Sequence, residues 1–525
     1  MKKMNGMAKA VAVAGLSLAL VAGLAGCASG GDQKSGASSA ERVQSSQSAD
    51  AAQDSSAAQE EMDLSFSKRD LDYSYDEASA TKVQLSDGGI TVDGEGAIAD
   101  GSTLTLSAAG TYIISGSLSD GDIVIEAGDE DKLQVVFDGV SVTNSDGPAL
   151  MVENADKVFV TLAEGSKNSL ADGSNYDLAG DDDNRDATLF SRDDITINGT
   201  GSLSIAGNYS HAVVSKDDLV IAGATIDVTS REDGFQGKDC LKVTEANITV
   251  NAGDDGLKSD AYVYIKDGNI DVQTCYEGYE GEKVIIDGGT HSILADDDAI
   301  NAALSDSSSS TTTGTSFGGA PAATTGVSFG GAPSGMNDGT QGSSKGGNMN
   351  RGFDGNMGDG SNGNTGRGMN GGMGGMGGGM PASSNECLIQ INGGTLTLSA
   401  VHDALDSNGN IEINGGLVLV CGPNSGMDGA MDYDISAQVN GGTVLMTGSV
   451  ANTRGLDQSA QAWTIASVQG AKGSNVALLD ASGNEVASLT ATQPFASVFA
   501  SSSEIPSGSS FTIEVNGTPT LLTMG

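Results

Sequence analysis

Acidic loops recur along this chain at a nearly fixed step. Asp233-Gly234-Phe235-Gln236-Gly237, Asp255-Gly256-Leu257-Lys258-Ser259 and Glu277-Gly278-Tyr279-Glu280-Gly281 stand 22 residues apart. Asp298-Ala299-Ile300-Asn301-Ala302 and Asp403-Ala404-Leu405-Asp406-Ser407 follow, and Ser425-Gly426-Met427-Asp428-Gly429 aligns as the last. One column is acidic, the next Gly or Ala, the next apolar, the next polar and the last small. The small members suit a tight turn, and the apolar member suits a core plug. Geometry alone does not ask for the acids. Carboxylates stacked roughly 5 Å apart repel by about 1 kcal/mol in water and about 3–4 kcal/mol at an effective dielectric of 20. Lys258 can offset one neighbour. Calcium offsets more, because it accepts six to eight oxygens at about 2.4 Å from carboxylates and loop carbonyls. Glu232, Asp254, Asp296 and Asp297 stand just before the column and add ligands. The alternative is a solvated edge whose carboxylates hydrogen-bond turn amides.

Such a column needs elements that repeat with it. Alternating apolar segments do: "ITINGTGSLSI" from Ile195, "LVIAGATIDV" from Leu219, "LKVTEANITV" from Leu241, "VYIKDGNIDV" from Val263 and "VIIDGGTHSIL" from Val284. Their second apolar residues, Ile197, Ile221, Val243, Ile265 and Ile286, are followed by Ile391, Ile413 and Val439. Within each strand the period is two. A unit of about 22 residues cannot close a core alone, but stacked units can. The gaps are too short for helical crossovers. The expected fold is all-β: a right-handed parallel β-helix (the hand by analogy with parallel connections), with one unit per coil. "GDIVIEAG", "KLQVVFDGVSV" and "KVFVTLAEG" read as earlier, less regular coils.

These signals divide the chain. Residues 1–26 are a signal peptide: Lys2, Lys3 and Lys9 precede an apolar run, and Leu24-Ala25-Gly26-Cys27 resembles a bacterial lipobox, which implies a lipid on Cys27. Residues 27–79 are expected to be a flexible tether, 80–304 and 385–460 the two parts of the β-helix, and 461–525 a β cap over the exposed end. Ile286 and Ile391 are 105 residues apart where 22 would serve, so 305–384, rich in Ser, Thr, Gly and Met, reads as a disordered insertion. Its methionines suit a spacer better than a soft-metal trap. "DDDNRD", 181–186, reads as solvated charge. Cys240, Cys275, Cys387 and Cys421 lack CxxC spacing, and no pairing follows from sequence.

Composition limits the partners. The chain has 525 residues, 25 Lys and Arg, 69 Asp and Glu and a net charge of −44, which repels nucleic acid and anionic lipid. Contact with membrane is expected only through Cys27. Aromatics are 4% and glycine numbers 77, which suits a ladder of small aliphatics. A monomer on the extracellular face of a bacterial envelope is expected.

The motifs "GTYIISGSL" (110–118), "EDGFQGK" (232–238), "DDGLKSD" (254–260), "YEGYEGEKVIIDGG" (276–289), "DDDAINA" (296–302) and "SGMDGAMDYD" (425–434) resemble a bacterial surface family. Its members are carbohydrate-binding right-handed parallel β-helices similar in shape to pectate lyases. The resemblance covers roughly 80–525 and rests on order and spacing. It implies binding of plant-type polysaccharide, including acidic sugars, with calcium on the acidic loops. Carried over, Asp233, Asp255, Glu277, Asp298, Asp403 and Asp428 are the metal candidates, with Asp254, Glu280 and Asp406 adjoining. Phe235 and Tyr279 are bulky where the family looks aliphatic, and Met431 stands where it tends to have Leu.

Lyases on this fold abstract the proton α to a uronate carboxyl, using calcium and a basic residue. Lys258 beside Asp255 offers those parts. An acidic neighbourhood raises a lysine's pKa and makes it a poor base, and no second basic cluster is evident. A paired-carboxylate hydrolase has little support from residue types alone. His211, His291 and His402 read as surface or turn residues. A structural adhesin or spacer is the third possibility, but it would lack the acidic column. Binding without catalysis is therefore the preferred function. Tyr73, Tyr75, Tyr262, Tyr264, Tyr276, Tyr279 and Trp463 are the candidate stacking platforms. Tyr262, Tyr264 and Tyr276 beside Lys258 form the expected sugar patch.

Overall fold

The computed structural model describes residues 62–176, 185–305, 383–424, 428–450 and 455–525. The leader with Cys27, nearly all of the 305–384 insertion, most of "DDDNRD" and 425–427 lie outside the described residues. Asp63–Gly525 forms one compact unit. It is a parallel β-solenoid, and among the described residues its only helix is the 3-10 turn Leu456–Gln458.

One coil shows how the repeat folds. Cys240–Thr244 is a strand with every residue buried. Glu245 turns the chain with a φ of 54°, a left-handed conformation that glycine fills in most other coils, as at Gly223 and Gly394. Ala246–Asn251 then alternates buried and outward residues. A loop leads to the three-residue strand Leu257–Ser259, which plugs the core with Leu257 and turns Lys258 outward. The first two strands of such coils extend a 24-stranded sheet, and the third extends a 12-stranded sheet.

The register follows the 22-residue step. Ile197, Ile221, Val243 and Ile265 are partners in succession. Ile265 then pairs with Ile286, Ile286 with Ile391, Ile391 with Ile413 and Ile413 with Val439. The pairing of Ile286 with Ile391 shows that the solenoid resumes one coil on, across the long insertion. Inside runs the aliphatic ladder, with Phe235, Leu257, Tyr279, Ile300 and Leu405 fully buried along one corner. The Gly column is required where coils touch: a Cβ on Gly256 would lie 2.6 Å from the Gly278 carbonyl oxygen. Outside, Asn440 donates to Asn414, Asn414 to Asn392 and Asn392 to Asp287, at 2.7–2.9 Å.

The expected tether is corrected over 63–79. This segment lies along the solenoid's outer face as a strap. The Lys242 ammonium donates to the carbonyls of Asp63 and Ser65 at 3.2 and 3.1 Å. The Arg69 guanidinium stands 4.4 Å from the Phe159 ring centre. Asp70, 2% exposed, accepts from the Thr196 hydroxyl at 2.8 Å and pairs with Lys157 at 3.2 Å. Gln134 donates to the Ser74 carbonyl at 3.3 Å. The segment's polar composition reads as having nothing to bury, but its partners are outward-turned residues of distant coils, among them Lys242, Thr196 and the Phe159 ring.

The far end is covered. Thr443–Thr447 pairs antiparallel with Val498–Ser502, which also pairs with Trp463–Ala466. Asn475–Leu479, Glu485–Thr490, Ser510–Val515 and Thr518–Thr523 make a four-stranded antiparallel sheet with its own core of Val476, Leu478, Phe511 and Ile513. The four described cysteines are buried free thiols.

Candidate functional site

The acidic loops stack at the corner that precedes the 12-stranded sheet. Their carboxylates first serve the backbone. The Asp255 N–H donates to Asp233 Oδ1 at 3.1 Å, the Asp403 N–H to Asp298 Oδ1 at 2.8 Å, and the Gly429 N–H to Asp403 Oδ1 at 2.6 Å. Each acid thus holds the turn of the next coil. Glu277 instead accepts both of its hydrogen bonds from the Asn301 amide, at 3.1 Å.

The charge concentrates around Lys258. Asp255, Glu277 and Glu280 bring three carboxylate oxygens within 4.8 Å of one another, and so do Asp233, Asp254 and Asp255. The Lys258 ammonium bonds Asp255 at 2.6 Å and also pairs with Glu280. Burial opposes the lysine's charge, but Asp255 and Glu280 outweigh it and raise its pKa. One ammonium cannot neutralise three carboxylates. Burial, the hydrogen bond with Glu280 and the charge of Asp233 push Asp255 well up despite Lys258. Burial and the charge of Glu280 move Glu277 to about 7. Further along, burial and the neighbouring acids carry Asp298 to about 9, Asp403 to about 7 and Asp406 to about 6. Asp233 goes the other way: burial disfavours its charge, but His211 beside it prevails and holds it below the usual range. A groove of ≈ 450 Å³ opens alongside, lined by Lys258, Glu280, Asn301, Asp406 and Asn408.

Asp233, Asp254, Asp255, Glu277 and Glu280 gather in the two clusters. Asp298, Asp403 and Asp406 share the edge but enter no three-carboxylate cluster among the described residues. Asp428 does not occupy the aligned position. Asp406 pairs with Asp432 and Ser407 with Tyr433, so Gly429-Ala430-Met431-Asp432-Tyr433 is the last loop and Asp428 precedes it. The cause is a step of 26 rather than 22, the same step that separates Ile413 from its partner Val439.

The expected sugar patch is dispersed. Tyr262 and Tyr264 lie on the strand Tyr262–Ile265, under the strap: the Tyr262 hydroxyl donates to the Asp63 carbonyl at 3.1 Å, and Tyr264, 5% exposed, donates to Asp287 at 2.7 Å. Tyr279 is in the core, its hydroxyl 2.9 Å from His291 Nδ1. Tyr276 alone of the proposed platforms stands on the edge. It is 49% exposed and sits between the coils of Asp254 and Asp297.

Three features were missed. His211 heads the acidic column: the Asp233 N–H donates to its Nδ1 at 3.1 Å, and its Nε2 lies 3.4 Å from Glu232. The signal was available, since His211 precedes Asp233 by the 22-residue step. Tyr209 stacks on Tyr176 with ring centres 4.1 Å apart. Asp194, Asp217 and Asp218 form a third acidic cluster, at another corner of the coil.

Fold and edge together define the class, a parallel β-helix with a lateral row of carboxylates. Residues 100–348, just under half of the chain, match the model of the family described as "Carbohydrate-binding domain-containing protein". A protein of Acetivibrio thermocellus with the same description is 38% identical over 120 residues, 23% of this chain and 42% of its own length. The chain therefore spans less than half of that relative. A solved polysaccharide lyase-like protein from C. thermocellum, a gadolinium derivative, is 26% identical, with 42% of this chain and 93% of that one covered and a TM-score of 0.40.

Proposed function

We propose that this chain binds an acidic polysaccharide of plant type through divalent cations, calcium above all, held on the acidic edge, and does not cleave it. One observation carries the proposal: Asp255, Glu277 and Glu280 converge within 4.8 Å, inside the stretch that matches the carbohydrate-binding family. With a net charge of −44, direct approach of a polyuronate is unfavourable, and a cation shared between protein and sugar carboxylates reverses the sign. Oxygen donors alone suit a hard cation. The exposed Tyr276 ring, one coil from Asp254 and one from Asp297, offers an adjoining face for a sugar ring.

Lys258 argues against the lyase alternative. A general base must be neutral, and this ammonium is held charged by two carboxylates. The tether and the lipid on Cys27 belong to the same proposal, which places the solenoid on the outer surface of the cell as a monomer. The test is retention of polygalacturonate on the immobilised solenoid with calcium and with chelator, while absorbance follows any unsaturated product. Calcium-dependent retention without product is the expected result. Product that disappears in Lys258→Ala would establish a lyase, and retention of no acidic glycan would overturn binding.

A further inference from the structure

The first coils carry a groove that the acidic edge does not explain. Thr81–Leu85 runs parallel to Gly110–Leu118 and antiparallel to Thr91–Asp93. Lys82 therefore lies opposite Asp93 and beside Ile113, while Gln84 lies opposite Thr91 and beside Ser115. Tyr75, from the strap, and Asp138, from the next coil, complete a cavity of ≈ 390 Å³. A second hollow of ≈ 690 Å³ shares Glu77, Lys82 and Asp93 with it, so the two form one longer groove.

The backbone beneath the groove is held, and several of its polar side chains are unpaired. Gln134 holds the Ser74 carbonyl just before Tyr75, and the Thr81 hydroxyl donates to the Glu95 carbonyl at 2.7 Å. Gln84 and Ser115 satisfy each other. The Tyr75 hydroxyl, the Lys82 ammonium and the carboxylates of Asp93 and Asp138 make no hydrogen bond or ion pair to another described residue. Half-buried Ile113 and Val92 add apolar surface to the lining.

We propose that this groove is a second glycan site, independent of metal and selective for neutral sugars. It stands on residues separate from the acidic edge and does not rest on the function proposed for that edge. Three carboxylates, Glu77, Asp93 and Asp138, face one ammonium, Lys82. That balance repels uronates, while unpaired carboxylates accept hydrogen bonds from sugar hydroxyls. An aromatic ring beside aliphatic side chains matches the C–H face of a pyranose. From Thr91–Asp93 across to the strand of Asp138 the groove crosses four strands, or ~14 Å, which is room for an oligosaccharide lying along the solenoid axis. Tyr75, Lys82 and Asp93 precede residues 100–348, so the family match does not assign this site.

Calorimetric titration of the solenoid with cellotetraose, xylotetraose and mannotetraose in excess chelator tests the proposal. At least one is expected to bind. Tyr75→Ala and Asp138→Asn should each weaken it about tenfold, Tyr75→Phe should retain it, and the Asp255→Asn/Glu280→Gln double variant should leave it unchanged. Asp138 is exposed, so its variant carries the test if Tyr75→Ala fails to fold. Binding of none of the three sugars, wild-type affinity in Asp138→Asn, or loss in the acidic-edge variant would overturn it. Failure of the edge itself reads out separately, in calcium-dependent retention of polygalacturonate.

Discussion

The backbone N–H of Asp255 donates to the carboxylate of Asp233, one coil back, at 3.1 Å. Asp403 repeats the relationship with Asp298. Part of the acidic column is therefore structural: a carboxylate oxygen satisfies an amide that a turn would otherwise leave unpaired. Asp233→Ala leaves the buried Asp255 amide unpaired and should cost roughly 1.5–3 kcal/mol, the range for a hydrogen bond to a charged group. Asp233→Asn, which keeps the acceptor oxygen, should recover most of it. Urea denaturation of the three proteins measures both losses.

The sequence carried the coil repeat because one physical requirement recurs every 22 residues: an aliphatic residue must meet its equivalent in the next coil. From Ile197 to Val439 each such residue pairs with the next, through steps near 22 and across the 105 residues between Ile286 and Ile391. The site was less legible. Tyr262 and Tyr264 are near the acidic loops in sequence, but Tyr276 reaches the edge and they do not, because the coil turns a corner between Lys258 and Tyr262. Asp428 stands off the column because the 26-residue step that separates Ile413 from Val439 also separates Asp406 from Asp432. The strap is not legible in the sequence because its contacts join Asp63 and Asp70 to Lys242 and Thr196, and no local pattern encodes partners that far apart.

Lys258 acts as a built-in counter-ion, so its removal should have opposite effects with and without metal. In chelator, Lys258→Met leaves Asp255 and Glu280 uncompensated. The expected loss is about 2 kcal/mol, less than the 3–5 kcal/mol of a fully buried pair, because the lysine side chain is 27% exposed. With the ammonium gone, calcium meets a more negative cluster, and its affinity should rise about tenfold. Calcium titration by calorimetry, paired with denaturation in chelator, separates the two effects.

Stability of the metal-free solenoid should fall as pH rises. Glu277 and Asp403 have folded pKa values of about 7, and Asp298 about 9, against roughly 4 when unfolded. Between those limits the folded chain binds more protons than the unfolded one, so these groups contribute most below pH ~4 and their contribution is lost as pH climbs through 7 and 9. Calcium replaces the protons, so the rise in melting temperature it produces should grow across the same interval. Thermal melts from pH 5 to pH 9, with chelator and with calcium, measure the divergence. Parallel curves would mean that calcium does not bind at these acids.

Asp70 fastens the strap through a buried charge, and its pH dependence should run the other way. Burial disfavours its ionised form, yet Lys157 and the hydrogen bonds from Ser67 and Thr196 prevail, and its pKa is lowered. A depressed carboxylate contributes stability above its unfolded pKa and loses it as pH falls through the folded value. Asp70→Ala removes the partner of Lys157, whose side chain is 13% exposed, and leaves the Thr196 hydroxyl without its acceptor. A loss near 3 kcal/mol is expected at neutral pH, and it should shrink only as pH falls through the lowered folded pKa of Asp70. The same variant should loosen residues 63–79, because Asp70 lies between the anchors at Lys242 and Gln134. Limited proteolysis followed by mass spectrometry should then find cleavage within that segment while the coils from Thr81 onward stay intact. Since Tyr75 rides on the strap, neutral-sugar affinity should fall in the same variant and calcium affinity should not.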